Sequence, residues 1–147
     1  GARRMEIWSL NWKDIDLTNR MITFRNTKNG EIRGLPLNRE AYEIFYKRSK
    51  IRRLDTSLIF PSKKDPDVPM DFRAPFERAL KEASIEDFRW HDLRHSCASY
   101  LAQKGVPILT IAEILGHVNT AVTVRYSHLN QDHLKNSLAE IDKVLSG

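Results

Sequence analysis

The sequence predicts an α+β domain, mostly helical, with one small three-stranded antiparallel sheet near its start. Three observations predict it. Strand-like alternation is confined to residues 14–37, helix-type spacing of apolar residues runs from residue 39 onward, and one Asn-Gly pair separates two of the strand-like runs. The 147 residues, 41% hydrophobic and 29% charged, carry enough apolar material for a core and too much for a disordered chain.

Residues 2–10 read as a short helix with Met5, Leu10 and Trp8 turned inward. Strands are expected at residues 14–17 and 21–25; in the second, Ile22 and Phe24 alternate with Thr23 and Arg25. Asn29-Gly30 then closes a hairpin, because both residues tolerate positive φ, and residues 32–37 form the third strand. A helix over residues 39–50 presents Ala41, Ile44 and Phe45 on one face, and the polar, proline-rich stretch 61–69 reads as a loop. Residues 71–83 carry Phe72, Phe76 and Leu80 at four-residue steps, with Pro75 able to delay the helix start. Residues 91–104 form a helix stopped by Gly105 and Pro107, and residues 108–115 another that ends at Gly116. Asn119 or Thr120 can cap a helix running to about Tyr126 or beyond. In the last helix, residues 131–145, Leu134, Leu138, Ile141 and Leu145 make an apolar stripe at 4-3-4 spacing.

Twenty-four Lys and Arg against 19 Asp and Glu give a net charge of +5, a moderate signal for a polyanionic partner. Cys97 is the only cysteine, which excludes an intrachain disulfide and points to a reducing, cytoplasmic setting. No run approaches about eighteen apolar residues, so no membrane partner is expected, and the first residues do not form a signal peptide. A start at Gly1 rather than Met leads us to expect a piece of a longer protein.

Three segments carry chemistry. His91 and Arg94 lie three apart on one helix, with His95 a further step round. Gly116-His117 follows a helix end, where a side chain can project into a cleft, and Tyr126 comes nine residues after His117. Arginine forks neutralise a pentacoordinate phosphate, imidazoles donate hydrogen bonds or move protons, and a phenol can attack. Taken singly, each residue has an ordinary structural or surface reading.

Their order gives more. Gly1-Ala2-Arg3-Arg4-Met5-Glu6, His91-x-x-Arg94-His95, and Leu115-Gly116-His117 followed by Tyr126-x-His128-Leu129 resemble the three boxes of the tyrosine recombinases of the phage integrase family. Thr27-Lys28-Asn29-Gly30 with Pro36-Leu37 resembles the family's lysine-bearing hairpin, so the likeness spans essentially the whole chain. The resemblance implies the catalytic core of a DNA breaking-rejoining enzyme. It implies that Arg3 and Arg94 clamp the scissile phosphate and that Tyr126 attacks to form a 3′-phosphotyrosine link. Lys28 would protonate the leaving 5′-oxygen, His91 would be the tyrosine's proton acceptor or hydrogen-bond partner, and His117 would donate to a phosphate oxygen. Glu6 and His95 would hold the scaffold. A free phenol has a pKa of about 10, so it needs such cations and a base to become a nucleophile near neutrality. No cofactor is implied: the bond energy kept in the phosphotyrosine makes ATP unnecessary, and no water attacks that a metal would have to activate.

The implied partners are double-stranded DNA and further copies of the protein, in a tetrameric synapse when the protein is full length. The terminal stripe would dock on a neighbouring copy in that assembly or fold back on its own domain. Proteins of this family carry a helix or two before the first box and a separate domain that clamps the DNA, and both are expected to be missing from residues 1–147. Rival readings are a recombinase-derived DNA-binding module without catalysis, a type IB topoisomerase-like enzyme or telomere resolvase, and a zinc hydrolase. The last rests on His91-Asp92-x-x-His95, where Arg94 would set a cation beside a dication and no third ligand follows at short range.

Overall fold

Arg3 has an extended backbone, and Glu6, three residues on, reaches back to accept its N–H at 2.7 Å; this reciprocal contact starts the first helix, α1 (Arg4–Trp8). The computed structural model describes residues 1–25, 30, 32–117, 119–130, 139, 141 and 143. They belong to two compact units: one of Arg3–Trp90, and one of Gly1–Ala2 with the chain from His91 onward.

In the first unit, α1 leads through a 3-10 turn (Trp12–Asp14) into β1 (Ile15–Asp16), β2 (Met21–Phe24) and β3 (Arg33–Pro36). The sheet is antiparallel in the order β1-β2-β3, with Ile22 opposite both Ile15 and Leu35 and Phe24 opposite Arg33. Ile22 and Phe24 are buried, as the alternation requires. Gly30 has φ of 75°, the positive value expected at the hairpin, whereas Asn26–Asn29 and Glu31 lie outside the described residues. Helix α2 (Arg39–Ser49) is capped by Asn38, whose side chain accepts the N–H of Ala41 at 3.0 Å. Its buried residue is Phe45, while Ile44 is 58% exposed.

Residues 61–69 form a loop pinched by a Pro61–Pro69 bridge. Helix α3 (Arg73–Glu82) holds Pro75 in its first turn, where a missing N–H breaks no helical bond. Phe72 and Phe76 join Trp8, Phe60 and Trp90 in an aromatic cluster with ring centroids 5.0–6.5 Å apart. Trp8 and Leu10 are buried as expected. Met5 is not: it is 54% exposed, and the buried residues of α1 are Glu6 and Trp8.

The second unit contains α4 (Trp90–Gln103, whose first residue belongs to the first unit), α5 (Ile108–Leu115) and α6 (Ala121–Val124). Two left-handed glycines shape it. Gly105 (φ 77°) and Gly116 (φ 68°) each follow a helix end, and the next residue bonds back five positions, Val106 to Leu101 and His117 to Ala112. Ala98 and Ala102 of α4 are fully buried in one cluster with Ile111 and Leu115 of α5 and Tyr126. Burying Ile111 and Leu115 contributes about 1.5–3 kcal/mol each.

Helix α6 is shorter than predicted. It ends at Val124, so Tyr126 stands in the turn beyond it and a 3-10 segment (Ser127–Asn130) follows. Asn119 caps the start through the N–H of Ala121, at 2.8 Å. Of the predicted terminal stripe, Leu134, Leu138 and Leu145 lie outside the described residues; Ile141 is 53% exposed.

Candidate active site

In the first unit the site is built on one carboxylate. Glu6 is 4% exposed; its Oε1 accepts from the Arg3 guanidinium at 2.9 Å, and its Oε2 from the Arg33 guanidinium at 2.7 Å. The Arg33 guanidinium carbon stands over the ring of Phe24, its cross-strand neighbour, 4.6 Å from the centroid. Burial acts to raise the Glu6 pKa, but the bonds from Arg3 and the charge and bond of Arg33 outweigh it and hold the carboxyl below its usual 4.5. Two guanidinium groups thus share the one Glu6 carboxylate. Arg33 was not among the sequence candidates. The available signal was its place two residues before Leu35, on the same face of β3.

In the second unit Arg94 is 5% exposed, and its NH1 donates to the carbonyls of Gly1 at 2.7 Å and Leu115 at 2.6 Å. The end of α5 thus anchors the arginine of α4. The glycine of the first motif is explained here too. A Cβ at Gly1 would come within 2.7 Å of Leu115 Cδ2 and 3.2 Å of Cys97 Sγ.

The left-handed turn at Gly116 delivers His117, whose Nδ1 is paired with the hydroxyl of the fully buried Thr123 at 2.7 Å. Tyr126 is 7% exposed and belongs to one buried cluster with Ala98, Ala102, Ile111 and Leu115. Its hydroxyl meets His95: the Nδ1 to Oη distance is 2.5 Å. His91, expected to be the tyrosine's partner, is exposed and packs edge-on against His95, ring centroids 4.9 Å apart. His95, expected to serve structural hydrogen bonding, is the histidine that meets the phenol. One turn of helix separates the two histidines, and His95, at i−3 from Ala98, is on the face that receives Tyr126. Lys28 lies outside the described residues. Among the described residues, no three His, Cys, Asp or Glu gather closely enough to hold a metal ion, so the zinc reading gains no third ligand.

This fold is that of DNA recombinase catalytic domains. The XerA recombinase structure aligns with a TM-score of 0.71 and 28% identity over 95% of this chain and 51% of that one. The catalytic domain of bacteriophage HP1 integrase aligns with a TM-score of 0.66 and 29% identity over 93% of this chain and 73% of that one. The chain belongs to the phage integrase family, whose model matches residues 1–133. The integrase of Salmonella phage P22 is 33% identical over 98% of this chain and 40% of its own length. Tyrosine recombinase XerA of Saccharolobus solfataricus is 36% identical over 92% of this chain and 44% of its own. The chain thus spans about two-fifths of the length of these two relatives.

Proposed function

We propose that the protein carrying this chain is a site-specific DNA recombinase or integrase that cuts and rejoins strands through a 3′-phosphotyrosine at Tyr126. The observation that carries this reading is the placement of the Tyr126 hydroxyl on an imidazole in the same unit as Arg94 and His117. Arg3 and Arg94 neutralise the scissile phosphate, His117 donates to one of its oxygens, and Lys28 protonates the leaving 5′-oxygen. His91 lies next to the tyrosine's histidine and serves the proton traffic there. The covalent link stores the bond energy, so rejoining proceeds without ATP, and side-chain cations take the place of a metal.

Double-stranded DNA is the substrate, and the charge of +5 favours it. Among the relatives by structure, XerH recombinase was solved on its difH substrate before cleavage, with a TM-score of 0.74 and 25% identity over 93% of this chain and 42% of that one. By the same reading the full protein works in the cytoplasm and assembles as a tetramer on DNA, with the terminal stripe of Leu134, Leu138, Ile141 and Leu145 as a docking element. No helix among the described residues is long and apolar enough to cross a membrane.

The test is a nicked DNA duplex carrying the recombination site, which traps the covalent adduct. Tyr126→Phe abolishes the adduct and leaves DNA affinity nearly unchanged, because one hydroxyl is lost. An adduct formed by the Phe variant rejects the assignment.

A further inference from the structure

We propose that Arg25 and Arg33, held by the buried carboxylates of Asp14 and Glu6, are positioning residues for Lys28, the proton donor to the leaving 5′-oxygen. The inference deepens the recombinase reading and rests on it.

One device is used twice in the first unit. Glu6 is the third residue of α1, and Asp14 is the third residue of the 3-10 turn after it. Each carboxylate accepts the backbone N–H that starts its own turn, from Arg3 at 2.7 Å and from Asn11 at 3.0 Å. Each is buried, with side-chain exposures of 2% for Glu6 and 7% for Asp14. Each also accepts from an arginine at the root of the β2–β3 hairpin: Glu6 from Arg33 at 2.7 Å, and Asp14 from Arg25 Nε at 3.0 Å. Arg25 directly follows β2, and Arg33 opens β3. Phe24 pairs with Arg33 across the sheet and lines one small cavity with Glu6, Asp14 and Arg25. Both strands are therefore tied, side by side, to the segment that begins at Arg3.

The burial of Ile22 and Phe24 already gives the sheet its register. What the two ion pairs add is direction, because a charge-assisted hydrogen bond fixes the angle between its partners. Lys28 stands three residues after Arg25 and five before Arg33 in the sequence, so each tie limits the reach of its ammonium. Proton donation works only within hydrogen-bond reach of the leaving oxygen, which makes it the step most sensitive to such a limit. Glu6 also binds the Arg3 guanidinium, so Arg33 acts on the phosphate clamp as well. Asp14 serves Asn11 and Arg25, and Arg25 is the cleaner probe.

The experiment is single-turnover adduct formation by the full-length protein on saturating nicked DNA, with either the natural 5′-oxygen or a bridging 5′-sulfur at the scissile phosphate. As the Tyr126 Oη–P bond forms, the P–O5′ bond breaks and the 5′-oxygen takes a proton from Lys28; a thiolate leaves without one. Lys28→Ala is therefore slow on oxygen and fast on sulfur. Arg25→Met is expected to lose roughly 10- to 100-fold on the oxygen substrate, the scale of a displacement of about 1 Å, and to match wild type on sulfur. Arg25→Lys recovers part of the loss, and Asp14→Asn, which keeps an acceptor for Asn11 but not the charge, repeats the pattern. Adding Arg25→Met to Lys28→Ala slows the reaction no further, because the group it positions is gone. Arg25→Met at the wild-type rate on oxygen overturns the proposal, as does equal slowing on both substrates, which a purely structural ion pair would give. Lys28→Ala equally slow on both substrates overturns the general-acid reading, and this proposal with it. Sulfur that rescues Lys28→Ala but not Arg25→Met removes this proposal alone.

Discussion

The two units hold their arginines by different means. Arg3 is held by charge, in an ion-pair cluster with a buried carboxylate that it shares with Arg33. Arg94 is almost wholly buried and donates to the backbone carbonyls of Gly1 and Leu115. Charge anchoring responds to pH and to loss of either partner; carbonyl anchoring depends on backbone geometry, which the left-handed glycine after Leu115 helps to set. The difference teaches that two arginines expected to perform one task need not fail in the same way. Each can be broken separately.

The largest effect is expected at Arg94. Arg94→Lys replaces a planar fork by one ammonium nitrogen, which cannot meet both carbonyls and still face a phosphate. Adduct formation falls by at least about 10²-fold, and stability falls by about 1.5–3 kcal/mol, the range for a hydrogen bond to a charged group. Single-turnover rates and denaturant unfolding measure both. A lysine variant with wild-type rate would show that the arginine's geometry is dispensable.

Arg33→Met is expected to cost about 1.5–3 kcal/mol by the same reasoning, since the Glu6 side chain is 2% exposed and that of Arg33 14% exposed. It also leaves Glu6 to cancel the charge of Arg3. The rate therefore falls although Arg33 itself does no chemistry, and Arg33→Lys restores part of it. Equal rates in wild type and Arg33→Met would remove the charge-balancing role.

The charge-held unit also carries a pH signature. Glu6 has a folded pKa below its usual 4.5, so its stabilisation is fully present above 4.5 and is lost as pH falls through the lower folded value. The stability gap between wild type and Glu6→Gln is therefore constant from neutrality to about pH 5 and closes in stronger acid. A gap that persists unchanged to pH 3 would mean that packing, not charge, is what Glu6 supplies.

Local pattern was legible in both units, and long-range contact in neither. The alternation of Ile22 and Phe24, the glycine stops at Gly105 and Gly116, and the four-step spacing of Phe72 and Phe76 are short-range signals, and the fold follows them. The exposure of Met5 and Ile44 was not legible, because spacing finds an apolar face without showing which members meet a neighbour. His91 and His95 share one helix face, and only the approach of Tyr126, 31 residues downstream of His95, selects between them. Arg33 and Glu6 are 27 residues apart and meet only once the sheet has formed. Motif order singled out Arg3, Arg94, His117 and Tyr126 as candidates, yet the partners of Arg94 and Tyr126 are a tertiary fact.

The smallest expected effect sharpens the neutral side of the comparison. Thr123 is fully buried, and its hydroxyl meets His117 Nδ1 at 2.7 Å, fixing an imidazole that stands one residue beyond the left-handed Gly116. Thr123→Val keeps the volume and removes the hydroxyl, so stability falls by about 1 kcal/mol, the net worth of one hydrogen bond. Thr123→Ser keeps the hydroxyl and removes a buried methyl, at a similar cost of about 1 kcal/mol. The two variants match in stability and separate in rate. If the bond orients His117 toward the phosphate, the valine variant loses roughly tenfold in adduct formation, equivalent to about 1.4 kcal/mol of transition-state stabilisation, and the serine variant loses little. Rates that follow stability alike in both variants would show that Thr123 serves the core and that His117 is aimed by the Gly116 turn alone.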